Sequence, residues 1–291
     1  MFATLRITPA ALLCACLLAS CGSSPKPLVV GSKDETENMI LGEIVAQHLE
    51  HRLGRSVQRR AGLGGTGVLY QSILAGEVGV YPEYSGLIET EILKEQADKD
   101  PQIVFARVRQ ELDRTAQIEV LDSLGFDNPS AIVVRSGGAD KMASLSDAAQ
   151  AAKSWKLGMT YEFQSRGDAL QALAPYRLPL AASRVLDSKQ LFPSLEKGDV
   201  DMIAARATDG HLPSPDWKVL ADDRKVFPPY QACLLVRKDL LAADARLRPA
   251  LAELSGRLSA ATMQKLNAQM DLEHRPVATI AADFLMQAGL R

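Results

Sequence analysis

One short pattern occurs twice in the 291 residues, as Ala75-Gly76-Glu77-Val78-Gly79-Val80 and as Lys197-Gly198-Asp199-Val200-Asp201-Met202. Each copy reads as a helix stopped by glycine, then an acidic residue, then a strand. Glycine just past a helix adopts the left-handed backbone that ends it without a Cβ penalty. The flanking segments repeat the grammar. Leu28-Val29-Val30 reads as a buried strand, followed by the polar loop Gly31-Ser32-Lys33-Asp34. A helix comes next, with Ile40, Leu41, Ile44, Val45 and Leu49 as its apolar stripe and Asp34 and Glu37 at capping-box spacing. In the second half, Lys156 to Met159 reads as a strand, Thr160 to Arg166 as a polar loop and Asp168 to Ala174 as a helix. Such alternation predicts α/β layers with largely parallel sheets. The doubled pattern favours two similar lobes, although the length also allows one doubly wound domain.

The N-terminus is a processing segment. Arg6 leads an apolar run, Ile7 to Leu18, too short for the about 20 residues that span a bilayer but suited to a signal peptide. Leu18-Ala19-Ser20-Cys21 closes it as a bacterial lipoprotein export signal, with small residues before the lipid-accepting Cys21. Two or more acyl chains, each contributing about 0.8 kcal/mol per buried methylene, are enough to anchor a protein. A plain signal with an incidental cysteine is the alternative. The expected layout is residues 1–20 as signal, 21–27 as a Gly/Ser/Pro-rich tether, and a body from Leu28 onward outside the cytoplasm. Gly22 leaves inner or outer membrane open.

Composition excludes several classes. A formal net charge of −2 with no basic run gives no footprint for nucleic acid, and the lipid is the one expected membrane contact. With Cys14, Cys16 and Cys21 in the signal and lipid box, Cys233 remains as a buried structural thiol and no internal disulfide is possible. His48, His51, His211 and His274 match no metal or catalytic spacing, and there is no Gly-x-Ser-x-Gly elbow. His48 and His51 are read as a solvated or partly packed helix face. No catalytic residue, metal or cofactor is expected.

In open α/β sheets, ligands sit beyond the carboxyl ends of the strands. Five loops therefore become candidates: Ser32 to Glu37, Gly64 to Gly67, Tyr81 to Gly86, Tyr161 to Arg166, and Arg206 to Gly210. If two lobes face one another, all five line one cleft. The Gly-rich loop lacks the Lys-Ser/Thr of a P-loop and is read as a tight turn.

These segments resemble those of periplasmic substrate-binding proteins of ABC importers that take up glycine betaine, choline and related quaternary amines. Gly31-Ser32-Lys33-Asp34-Glu35-Thr36-Glu37-Asn38 is similar to the family's G-S-K-N-F-T-E-Q, and Gly62-Leu63-Gly64-Gly65-Thr66 to its G-L-G-G-T. Val80-Tyr81-Pro82-Glu83-Tyr84-Ser85-Gly86 is similar to V-Y-P-E-Y-T-G, and Gly125-Phe126-Asp127-Asn128 to G-F-N-N. Glu162-Phe163 with Arg166 and Asp168, Thr208-Asp209-Gly210, Asp222-Asp223 and Phe227-Pro228-Pro229-Tyr230 follow in the family's order. The resemblance implies a type II-like, two-lobed periplasmic binding protein with two hinge segments. Lobe 1 would comprise 28–125 and 227–291, and lobe 2 would be 126–226, with crossings near Leu124 to Ser130 and Val226 to Tyr230. A monomer would deliver a small solute to an ABC permease and ATPase complex.

The implied ligand residues are Ser32, Lys33, Glu35, Asn38, Thr66, Tyr81, Glu83, Tyr84, Asn128, Ser130, Glu162, Arg166, Arg206, Thr208 and Asp209. Quaternary ammonium groups are held by aromatic faces, each contributing about 0.5 to 2 kcal/mol. Here that inventory is depleted, since Ser130 and Arg206 stand where many relatives have tyrosine. Arg206 repels a bare cation and can clamp a carboxylate with two hydrogen bonds. The expected solute is a zwitterion of the betaine class, with Arg206 or Arg166 on its carboxylate and Tyr81, Tyr84, Glu83 or Glu35 near its cation. The alternatives are a non-quaternary carboxylate, a ligand-sensing lipoprotein, and an extracytoplasmic hydrolase. Structural roles stay open too: Arg206 bridging to Asp209 or Glu83, Arg166 paired with Asp168, and the tyrosines as core.

Overall fold

The computed structural model describes residues 27–138, 142–166 and 168–291; the export signal and Cys21 lie outside them. Two five-stranded sheets carry the architecture. The chain begins with β1 (Val29–Gly31), α1 (Thr36–Leu53), β2 (Gln58–Arg60), α2 (Thr66–Leu74), β3 (Val80–Tyr84), α3 (Ser85–Leu87), α4 (Pro101–Ala116) and β4 (Ile118–Val120). It crosses into β5 (Ser130–Arg135), α5 (Leu145–Gln150), β6 (Trp155–Met159), α6 (Tyr161–Ser165), β7 (Leu180–Val185), α7 (Leu191–Lys197), β8 (Met202–Arg206) and β9 (Trp217–Leu220). It then returns as β10 (Ala232–Arg237), α8 (Lys238–Ala243), α9 (Leu247–Ala252), α10 (Ala260–Asp271) and α11 (Val277–Gln287). The strand orders are β2-β1-β3-β10-β4 and β7-β6-β8-β5-β9, so one sheet overlays the other element for element.

The sheets are mixed, which corrects the expectation of largely parallel pairing. β1 pairs parallel with β2 and β3, and β6 with β7 and β8. β10 is antiparallel to β3 and β4, and β5 to β8 and β9. The reason is topological: β5 and β10 are the strands that enter directly from the crossings, so each runs opposite to the strands whose ends point there. The pleat sends successive side chains of each to opposite faces, and both faces are covered, so both sets are apolar. Ala232, Leu234 and Val236 face α1 and the C-terminal helices, while Cys233 and Leu235 face α2 and α4.

Local chemistry sets the element ends. Asp100 caps α4 by accepting from Gln102 N and Ile103 N, with Pro101 preset in the first turn. The twin turns form with the same bonds. Gly76 N reaches Ile73 O and Glu77 N reaches Ser72 O, while Gly198 N reaches Leu195 O and Asp199 N reaches Ser194 O. The Asp34/Glu37 capping box does not form: α1 starts at Thr36, its N-cap Glu35 makes no side-chain capping bond, and Glu37 is engaged elsewhere. Asp168 to Ala174 is also not an α-helix. A turn leads there into a 3-10 segment, Gln171–Tyr176, that contains Pro175 and ends at Arg177 with φ 52°. His48 is fully buried rather than solvated, bonding Ala250 O at 2.8 Å and Leu290 O at 3.3 Å.

The two crossings lie side by side as an antiparallel pair. Asn128 N donates to Tyr230 O at 3.0 Å and Ala232 N to Phe126 O at 3.1 Å. Gly86 sits beneath this ribbon; a Cβ there would come within 2.5 Å of Pro229 O. Gly210, at the end of the loop after β8, meets α10 just as closely, 2.5 Å from Ala268 N. Only glycine lets backbone approach backbone at those two points.

Candidate functional site

The end of β3, the loop after β8, the outgoing crossing and α10 meet at one buried carboxylate. Glu37, in the first turn of α1, accepts from Asn128 Nδ2 at 3.0 Å, Thr208 Oγ1 at 2.5 Å, Asn267 Nδ2 at 2.9 Å and the Tyr84 hydroxyl. Asn128 Oδ1 in turn accepts from Thr208 N at 3.2 Å. One side chain thus ties the first sheet, α10, the outgoing crossing and the loop after β8. Burial pushes the Glu37 carboxyl above its ordinary value, opposed by the hydrogen bonds of Thr208, Tyr84, Asn267 and Asn128.

A second buried pair lies behind Tyr84. Lys33 Nζ reaches Glu83 Oε1 at 2.5 Å, with both side chains sealed from solvent, and stands 5.3 Å from the Tyr84 ring centroid. Tyr84 N also donates to Glu83 Oε1 at 2.9 Å. Burial raises the Glu83 carboxyl despite the Lys33 charge. Tyr84 therefore spends its hydroxyl on Glu37 and has a lysine beside its ring.

A charged face on the second lobe completes the arrangement. Arg206 ends β8, directly opposite Ser130 on β5. Its Nη2 donates to Glu162 Oε1 at 3.0 Å, the same oxygen that accepts from Arg166 Nη1 at 2.8 Å. Arg166 also grips Asp168 with two bonds, at 2.9 and 2.8 Å. Both guanidinium groups lie on the Tyr230 ring, 5.1 Å away for Arg166 and 5.4 Å for Arg206. The Tyr230 hydroxyl donates to Asp168 and accepts from Arg166. Burial works to raise the Glu162 carboxyl, but Arg206 and Arg166 outweigh it and hold it below its ordinary value.

Between the lobes lies a cavity of about 580 Å³, lined by Glu35 from lobe 1 and by Thr160, Tyr161, Glu162, Asp187 and Ser188 from lobe 2. That volume falls in the usual range for small-molecule sites. Glu35 is exposed, and its charge acts on Arg206, Glu83 and Tyr84. Among the described residues, no cluster of His, Cys, Asp or Glu is arranged to hold a metal ion.

The expected site residues divide accordingly. Glu35 and Glu162 line the cavity, and Arg166 and Arg206 adjoin it through Glu162. Asn128, Thr208 and Tyr84 instead serve the Glu37 hub, and Lys33 and Glu83 pair with each other. Tyr81 corrects the expectation of a cleft aromatic: it is fully buried in the core under α2 and α4, because odd positions of β3 face away from α1. Ser32, Asn38, Thr66 and Ser130 are buried, Asn38 reaching Pro82 O at 3.5 Å. Asp209 caps the turn at His211 N, 2.9 Å away, and does not pair with Arg206. Four residues of the hub and the charged face were missing from the expected set: Glu37 and Asp168, each inside a motif already noted, together with Tyr230 and Asn267. Tyr230 had a legible signal in its Phe-Pro-Pro-Tyr run, whereas Asn267 on α10 had none.

Residues 26–287 match the family model for the substrate binding domain of ABC-type glycine betaine transport systems. The chain is 29% identical to a carnitine transport binding protein of Listeria monocytogenes, covering 99% of this chain and 95% of that protein. It is 30% identical to a glycine betaine-binding protein of Escherichia coli, covering 90% of this chain and 91% of that one. A crystal structure described as a glycine betaine/carnitine/choline ABC transporter superposes with a TM-score of 0.83 at 26% identity, over 90% of this chain and 99% of that one.

Proposed function

The chain belongs to the family of substrate-binding domains of ABC-type glycine betaine transport systems, and from that premise we propose that it captures a zwitterionic osmolyte between its lobes, carboxylate toward Arg206 and Arg166. As a substrate-binding protein of an ABC importer it works outside the cytoplasm with a permease. In this reading it is a monomer that hands solute to the permease and ATPase complex, held at the membrane by lipid on Cys21. Among the described residues no helix is long and apolar enough to cross a membrane.

The carrying observation is Tyr230 with two guanidinium groups on its ring. A bare quaternary cation wants an aromatic face, and here the protein's own cations occupy it. Two guanidinium groups converging on one oxygen are instead a receptor for a carboxylate. A thermal-shift screen of glycine betaine, carnitine, choline, ectoine and ergothioneine tests the reading. A ligand at 100 times its dissociation constant stabilises by about 2.7 kcal/mol, so a true solute raises Tm visibly. Carboxylate-bearing solutes should respond and choline should not, and Arg206→Ala should abolish the response. A choline response surviving in Arg206→Ala would refute the assignment.

A further inference from the structure

Glu162 is the carboxylate that both guanidinium groups hold. Its Oε1 bridges Arg206 and Arg166, yet the side chain is 49% exposed and faces the interlobe cavity. Asp168 holds Arg166 by two further bonds, whereas Glu162 is the sole carboxylate that Arg206 touches among the described residues. Glu35, across the cavity on lobe 1, bears a charge of the same sign and makes no capping bond.

Resting on the reading above, we propose that the Arg206–Glu162 ion pair is the specificity element and that the solute binds by inserting into it. The solute carboxylate replaces Glu162 on Arg206 and Arg166, and its cation takes the freed Glu162 together with Glu35. Every charge then keeps a partner of opposite sign inside a closing site, where unpaired charges are expensive. A bare cation would leave Arg206 uncompensated when Glu162 turns to it. A bare anion would displace Glu162 toward Glu35 with nothing between the two carboxylates. Insertion therefore selects zwitterions over both, without an aromatic cage.

The test is calorimetric titration of the full chain with glycine betaine, carnitine, choline and tert-butylacetate, the carbon isostere of glycine betaine that keeps its carboxylate and lacks its cation. Wild type should prefer glycine betaine to tert-butylacetate, and Glu162→Gln should reduce that preference about tenfold by removing the cation's partner and the carboxylate's competitor together. Glu35→Gln, on an exposed side chain, should reduce it less and serves as a second variant should Glu162→Gln fold poorly. Betaine binding in wild type with the preference unchanged in both variants overturns insertion while leaving the zwitterion reading standing. Equal wild-type affinity for betaine and tert-butylacetate also overturns insertion. Binding of none of the carboxylate-bearing solutes overturns both.

Discussion

The two sheets share strand order and the glycine turn before the third strand, yet they end that strand with opposite chemistry. In lobe 1, β3 pairs with β10 so that Tyr84 faces Ala232; in lobe 2, β8 pairs with β5 so that Arg206 faces Ser130. Tyr84 and Arg206 thus occupy equivalent positions. The shared scaffold extends to an arginine clamp on each turn: Arg237 bonds Ile73 O at 3.1 Å, and Arg135 bonds Leu195 O and Val200 O. Tyr84 is buried against Lys33 and Glu37, while Arg206 stands beside the cavity. Repetition supplied the frame. Divergence at one strand end gave the first lobe its anchor to the hinge and the second its charged face.

The comparison breaks first at Glu37. Glu37→Ala leaves four buried donors without their acceptor, and at about 1 kcal/mol or more for each the loss should reach about 4 kcal/mol in urea unfolding. A loss near 1 kcal/mol would mean that the hub is not a structural anchor. Next comes the lobe 1 pair: Lys33→Met strands the Glu83 carboxylate and should cost about 3 kcal/mol, most of it recovered by Lys33→Met with Glu83→Leu. If the double variant is no more stable than the single, the pair is doing more than compensating its own burial.

The hinge supplies a pH test. Burial lifts the Asp127 carboxyl to about 6, with its Oδ1 accepting from Tyr230 N at 2.5 Å. A carboxyl raised above its unfolded value stabilises fully below that value and loses the contribution as pH rises through the folded one. Stability should therefore fall by about 2 kcal/mol between roughly pH 4 and pH 7 on this account. Glu37 and Glu83 are raised as well and add to the same trend. Asp127→Asn should flatten its share of the curve; an unaltered slope would acquit Asp127.

The smallest effects sharpen the contrast most directly. Tyr84→Phe removes a buried hydroxyl donor and should cost about 1 to 2 kcal/mol with little change in solute preference. Arg206→Ala breaks a partly exposed pair and should cost under about 1 kcal/mol while removing solute binding. Paired melts and titrations of the two variants decide whether equivalent positions have separated into anchor and receptor.

Local signals foretold much of this. Gly76 and Gly198 marked helix ends because a left-handed residue is a local requirement, with φ 76° and 80°. Arg166 with Asp168 was legible because two residues of separation confine the pair to one turn. Tyr81 was misplaced for the converse reason: which face of a strand meets the cleft depends on what covers each face, and a tyrosine fits either.

The doubled α/β frame, the glycine that ends each paired helix and the stiff Phe227-Pro228-Pro229-Tyr230 return are legible in the chain alone, since each follows from periodicity or backbone freedom within a few residues. That Glu37 joins Thr208 and Asn267, 171 and 230 residues away, and that Arg206 takes Glu162 and not Asp209 or Glu83, emerges with the folded arrangement. Partner choice at those separations is set by where the crossings bring the strand ends together, and local pattern carries no record of that.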